Sequence, residues 1–367
     1  MNDITTAVAE PASAPLSGSE QAAAMVGRRY RMADHYEVGR EKIREFARAV
    51  RDFHPAHWNE DAAGDLGYDA LIAPLTFSSI VWLLVQRKMF DSVLTGYDIS
   101  QVLQTEQSIT VHRPLVAGDR LHCDSFVESF RQFGDMDFMV TRNVLTNQHK
   151  ELLQTAYTTV VARTGAEVAT ELVTAVDGVI MSGQALTHRL SATERPRGRA
   201  VDTGIIECLD EVLPEATVDE TQVRVPRGVP TFDDLRVGME LPTRVVPLSR
   251  GDLVNYAGVS GDSNPIHFSD HVADTAGLPD VVSHGLLTMG LGASYLTDWL
   301  GDPAAVTEYG VRFSGFAPVS ATRYTEIEFR GRVKSLDPRR RAATIALTAI
   351  SEGRKLFGRA TAEVLLR

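Results

Sequence analysis

A chain of 367 residues, 44% apolar and 23% charged, is longer than one ordinary compact domain and suits two, each able to bury a core of its own. A mean hydropathy of -0.09 and short apolar runs such as 80–85 exclude a helical membrane span, which needs about 20 apolar residues. The formal net charge of -11 repels nucleic acid and anionic membranes, and so excludes both as partners outside a local basic patch.

Residues 1–25 are rich in Ala, Ser and Pro and lack a basic stretch ahead of an apolar one, so they read as a disordered leader. Cys123 and Cys208 stand far apart in no metal or redox spacing, and with no secretory context a reducing cytoplasm is expected. A first folded unit is expected over 26–165. It has a short amphipathic helix before Asp52 and His57, a longer apolar helix over 75–90, and then alternating strands with a turn at Asn147-Gln148. Residues 166–230, which hold no Phe, Trp or Tyr, read as a linker lying partly on the surface as short strands or helix.

The second unit is expected over 231–367. Its first helix is capped by Ser249 and sets Leu253, Tyr256 and Ala257 on one face. A short helix follows from near Ser269, burying Ala273 and Ala276 and stopping at Gly277. The helix over 285–300 is apolar or small nearly all round, as an enclosed helix must be. Period-two alternation then predicts strands over 309–316, 322–333, 342–350 and 356–365, with turns at Asp337-Pro338 and Glu352-Gly353. Arg339, Arg340 and Arg341 read as a solvated hairpin tip, with docking of an acidic carrier protein as the competing reading.

The two units are one pattern written twice. A single constant offset lays Asp52 on Asp262, Pro55 on Pro265, His57 on His267 and Gly67 on Gly277 without a gap. A buried helix followed by antiparallel strands predicts an α+β fold in which a curved sheet wraps the helix, the hot-dog arrangement, here in tandem as a fused pseudo-dimer able to pair again.

Chemistry concentrates in the second copy. Gly261, Asp262, Asn264, Pro265 and His267 lie on one loop, where Gly261 allows a tight backbone, Asn264 can bond the backbone, and Pro265 stiffens the path. Singly each residue reads as a cap or turn; together they place two proton-transfer groups side by side. Ser283-His284-Gly285 opens the long helix, whose free amides and dipole suit a developing oxyanion, with the amide of Gly285 as the expected donor. Elimination of water from a 3-hydroxyacyl thioester needs this set. His267 is expected to take the Cα proton and Asp262 to protonate the departing hydroxyl. No phosphate-cradling glycine loop, G-x-S-x-G elbow or metal-binding set appears, so no cofactor or metal is expected.

The loop resembles the hydratase-2 motif of the MaoC-like hot-dog hydratases and dehydratases, and the resemblance extends from about Phe232 to Arg367. The stretch from about Val26 to Arg163 resembles the partner subunit of actinobacterial β-hydroxyacyl-ACP dehydratases of fatty acid and mycolic acid elongation. This implies a cofactor-free syn elimination from (3R)-hydroxyacyl thioesters carried by ACP or CoA, with a tunnel for the acyl chain along the central helix. The first copy keeps Asp52 and His57 but has Arg51 for the glycine, His54 for the asparagine and Ala73-Pro74-Leu75 for Ser283-His284-Gly285. Proline has no N–H and leucine crowds the approach, so this copy is expected to be catalytically weak and to shape the acyl-chain site. Competing readings are an (R)-specific enoyl-CoA hydratase, a non-catalytic acyl-thioester-binding module and, less well fitted, a thioesterase.

Overall fold

The computed structural model describes residues 16–97, 102–164, 170–180, 205–207, 225–228 and 230–367. The first unit runs α1 (Gly18–Ala24), β1 (Arg29–Met32), β2 (Tyr36–Glu37), α2 (Arg40–Ala49), α3 (Glu60–Asp65), α4 (Ser79–Ser92), β3 (Val102–Val111), β4 (Arg120–Phe133), β5 (Met136–Thr146) and β6 (Leu152–Arg163). Between the units lie α5 (Thr170–Asp177) and β7 (Ile205–Glu207), the latter pairing with β1. The second unit runs β8 (Arg244–Leu248), α6 (Arg250–Ser260), α7 (Asp270–Thr275), α8 (Gly285–Leu300), β9 (Val306–Phe313), β10 (Thr325–Asp337), β11 (Ala342–Ser351), β12 (Arg354–Lys355) and β13 (Phe357–Leu365).

The repeat read from the sequence is a repeat of topology. One unit orders its strands β1-β4-β5-β6-β3 and the other β8-β10-β11-β13-β9, and the two meet where β3 pairs antiparallel with β9 to make one 13-stranded sheet. Each half therefore curves around its own helix, α4 or α8, giving a double hot-dog. Every residue of α8 from Leu286 to Thr297 is buried, in keeping with its apolar and small composition. Helices α2 and α6 pack against each other at the pseudo-two-fold, where Phe46 and Tyr256 stand 6.2 Å apart. Among the described residues no helix is long and apolar enough to cross a membrane.

Four details depart from the sequence reading. Residues 18–24 of the expected leader form helix α1, because Ser17 and Glu20 make a reciprocal capping box and Ala22 and Met25 are buried; residues 1–15 lie outside the described ones. The first copy's long helix starts at Ser79 and not at 75. Pro74 opens a run of tight turns, with Phe77 N–H on the Pro74 carbonyl and Ser79 N–H on that of Thr76, before α-helical bonding sets in. Helix α7 buries Val272 and Ala273, while Ala276 is its exposed C-cap, one residue before Gly277 at φ 75°. The strand predicted over 309–316 lies three residues earlier, at Val306–Phe313, and that predicted over 322–333 lies three to four residues later, at Thr325–Asp337.

The basic run is a hairpin tip. Asp337 Oδ1 accepts from the Arg339 and Arg340 amides, Arg340 pairs with Glu363 at 2.9 Å and Arg341 with Asp233 at 3.1 Å. Two of its three charges are thus spent at home. Cys123 is buried and free, its thiol pushed up by burial; Cys208 lies outside the described residues.

Candidate active site

The loop that follows α6 is rigid for reasons visible in its residues. Ser249 and Asp252 form a capping box at the start of the helix, and Gly261 ends it at φ 80°, a left-handed conformation that favours glycine. The Asp262 amide then donates to Ser260 Oγ at 3.2 Å. Asn264 caps the short 3-10 turn of Pro265–His267 by accepting from the Ile266 amide at 3.3 Å, and its own amide points to Asp262 Oδ1 at 3.4 Å. Proline at the first position supplies the turn's φ at no cost in donors.

His267 is oriented by the strand-like segment before α8. Its Nδ1 lies 2.7 Å from the carbonyl of Val282, and the Val282 amide returns a bond to the Ile266 carbonyl at 3.2 Å. A carbonyl can only accept, so Nδ1 carries the proton and Nε2 presents a lone pair. Burial holds the imidazole below its ordinary pKa, against the opposite pull of the Asp262 carboxylate and the Val282 carbonyl. His267 is therefore neutral near pH 7 and free to accept a proton.

His284 lies on the other face of that ring. The two imidazoles stack with centroids 3.7 Å apart at 27°, and Tyr256 closes the far side at 5.0 Å. His284 Nε2 lies 3.3 Å from the Asp262 backbone carbonyl, while Nδ1 has no partner. Burial first, and the neighbouring His267 second, push its pKa down to about 3. Asp262, His267 and His284 each bring one ligand-type atom within 4.8 Å of the others, so a cation would bind here if anywhere among the described residues. Stacked rings direct their lone pairs along near-parallel planes, however, which suits passing a proton better than closing a tetrahedron around zinc.

At the start of α8 the Gly285 amide makes no backbone hydrogen bond, as expected of a first-turn N–H, and the residue is exposed. A Cβ there would rest on the Phe313 ring at 3.4 Å, so Phe313 lines the space beside this residue. Ser283 faces inward, its hydroxyl 3.3 Å from that of Thr288. Two contributors had no signal in the sequence reading: Phe313, which sat in an ordinary strand pattern, and Arg87 of α4, whose Nη2 donates to the Gly261 carbonyl at 2.8 Å. Arg87 belongs to the other unit, and only the assembled pseudo-dimer puts it there.

The first copy's loop has the same backbone and a different fate. Arg51 adopts φ 54° where Gly261 has 80°, and His54 Nδ1 caps the Ala56 amide as Asn264 caps Ile266. His57 Nδ1 bonds the Ile72 carbonyl at 2.7 Å, and its Nε2 stands 3.3 Å from Asp52, without the alignment of a hydrogen bond. Yet Asp52 is 1% and His57 0% exposed, against 8% for His267 and a half-buried Asp262. Ser294 of α8 locks the Arg51 carbonyl at 2.7 Å, Leu75 is buried where Gly285 is open, and the helix N-terminus has moved to Ser79. This pair is sealed and lacks a facing donor.

Comparison with known proteins finds a match for each half of the chain. Residues 234–351 match the MaoC like domain family, and residues 24–156 match the FAS1-like dehydratase domain region. A UPF0336 protein of Mycobacterium tuberculosis is 41% identical over 143 residues, which are 39% of this chain and 90% of that protein. A second from the same organism is 45% identical over 136 residues, 37% of this chain and 82% of that one. A solved structure described as a MaoC-like dehydratase is 45% identical with a TM-score of 0.83, covering 94% of this chain and 100% of that one. A further Mycobacterium tuberculosis structure, described as a double hotdog fold, reaches a TM-score of 0.58 over 93% of this chain and 96% of its own at 13% identity, a likeness of fold alone.

Proposed function

We propose, from the premise that this chain belongs to the MaoC-like dehydratase family of hydro-lyases, that it reversibly dehydrates (3R)-3-hydroxyacyl thioesters of medium to long chain to trans-2-enoyl thioesters. The carrier we assign is an acyl carrier protein, and the setting is fatty acid or mycolic acid elongation. The observation that carries the reading is that Asp262 and His267 bring ligand-type atoms within 4.8 Å of one another, with Val282, just ahead of the exposed Gly285 at the start of α8, fixing the His267 ring.

In this reading the thioester oxygen accepts from the Gly285 amide, which draws charge out of the Cα–H bond and stabilises the enolate-like transition state. His267 Nε2 takes the Cα proton. The Asp262 carboxyl gives its proton to the C3 hydroxyl, the C–O bond breaks, and water leaves. The imidazolium then returns its proton to the carboxylate across a gap of at most 4.8 Å, directly or through one water, and the cycle is balanced. Hydration runs the same steps backwards. His284 supports the base by stacking on it, Arg87 holds the carbonyl just ahead of Asp262, and the sealed Asp52/His57 copy takes no part. The first unit instead receives the acyl chain. Support for that role comes from a small pocket between α4 and the sheet, lined by Trp82, Met89 and Phe90 on its apolar side and by Gln86, Asn143 and Thr158 on its polar side.

The test is the Asp262→Asn/His267→Ala double variant, assayed by loss of enoyl absorbance. Turnover should fall by at least about a hundredfold with the fold intact by circular dichroism. A variant that retains most of its turnover would overturn the assignment. Assaying one acyl group on CoA and on carrier protein separates the synthetic reading from an (R)-specific enoyl-CoA hydratase.

A further inference from the structure

The interior of the first unit holds buried polar atoms that the elimination does not use. A smaller pocket adjoins the larger one and shares Phe90, Met139 and Val160 with it. Its wall includes Asp137 of β5, only 2% exposed. Oδ2 of that carboxyl accepts from the Tyr97 hydroxyl at 2.7 Å and the Ser19 hydroxyl at 2.5 Å, while Oδ1 has no donor in the protein. In the larger cavity Trp82 is the mirror case: its Nε1 is buried and has no acceptor. Among the buried polar atoms of the described residues that lack a protein partner, these two are of opposite character and stand in the walls of adjoining pockets, where one ligand could meet both.

The walls constrain that ligand. Phe90, Met139, Val160 and Ala162 suit a hydrocarbon body. A carboxylate with hydroxyl donors already on one oxygen offers only acceptor capacity on the other, so its complement is an O–H or N–H donor. An indole N–H needs an acceptor. A hydroxyl oxygen serves in either role, whereas an ammonium can serve only the first. We infer that the first unit reads the distal part of the acyl chain for a hydroxyl group, with Asp137 as the acceptor that selects hydroxylated over plain chains. The inference rests on the dehydratase reading only for the thioester end of the substrate; the recognition site is in the other unit.

Two sets of trans-2-enoyl thioesters decide it, one plain and one bearing a terminal hydroxyl, across a panel of chain lengths. At the best-fitting length the intact protein should favour the hydroxylated chain in kcat/KM by at least about tenfold, the worth of one charge-assisted hydrogen bond. Asp137→Leu should bring that ratio close to one. Because Asp137 also ties down α1 through Ser19 and the segment after α4 through Tyr97, the Ser19→Ala/Tyr97→Phe double variant is the control: it removes the tie, keeps the carboxylate, and should keep the preference. A ratio near one in the intact protein at every length, or a preference that survives Asp137→Leu, overturns the inference, and so does a preference lost equally in the control. Binding of the free hydroxylated acid, followed by tryptophan fluorescence, separates the two readings. If no enoyl thioester is turned over but the hydroxylated acid still binds more tightly than the plain one, dependent on Asp137, then the dehydratase reading fails and this site stands.

Discussion

His267 can act as a base only if its two nitrogens are kept distinct, and the Val282 carbonyl does this by holding the proton on Nδ1. Its spacing from Asp262 is readable in the sequence; the hydrogen bond that selects the tautomer is not, because Val282 is brought in by the turn of Pro265–His267. Burial lowers the His267 pKa, so the neutral form survives acidification further than an ordinary histidine would. The acid limb of kcat/KM should accordingly lie below about 6.5, and a pH–rate profile checks it. The same residues link stability to pH. For His267 and His284 the folded pKa lies below the unfolded one, for His284 at about 3, so below about 6.5 the unfolded chain takes up protons that the folded chain refuses. Stability is complete above that pH and is lost as pH falls toward the lowered values. His284→Phe, which keeps a ring to stack on His267, should flatten the fall of Tm with acid, and a series of thermal melts reads the slope.

The helices flanking the loops and the later strands were legible from periodicity, whereas α1, β1, β2 and β8 were not, and element ends were decided by local bonds. The Ser17 to Glu20 capping box that makes α1 was present in the chain and outweighed by composition, since seven residues of helix hold only where Ala22 and Met25 find a core. In α4 the late start at Ser79 removes the helix N-terminus from the place where α8 offers its own. Helix α8 illustrates how close the units lie. A Cβ on Gly290 would stand 2.6 Å from Val50 Cγ1 and 3.2 Å from Thr76 Oγ1, both in the first unit. Val50 is 1% exposed and β-branched, with little room to yield. Gly290→Ala should therefore destabilise by about 1–3 kcal/mol from overpacking, against up to about 1 kcal/mol gained in helix propensity, as chemical denaturation would measure.

At the scale of the whole molecule, one sheet runs through both units by way of β3 and β9, and each unit's central helix touches the other's loop. That exchange lets the two copies diverge: Arg87 reaches the loop of the open site, and Ser294 locks the loop of the closed one. The Asp52→Asn/His57→Gln variant should lower Tm through loss of a buried pair, yet leave kcat/KM at moderate temperature within about twofold. Equal damage to turnover would show that the first pair works after all.

The duplication, the fold class and the Asp262 to His267 loop were all written along the chain, because each rests on residues near one another in sequence: caps, turn residues, apolar period and a fixed spacing. The sealing of Asp52 and His57, the tautomer of His267, the hand of Arg87 on Gly261 and the cavity beside Asp137 were decided only by the tertiary structure. Each depends on atoms contributed by a distant element, and burial and hydrogen-bond partnership across such distances leave no pattern in a single sequence.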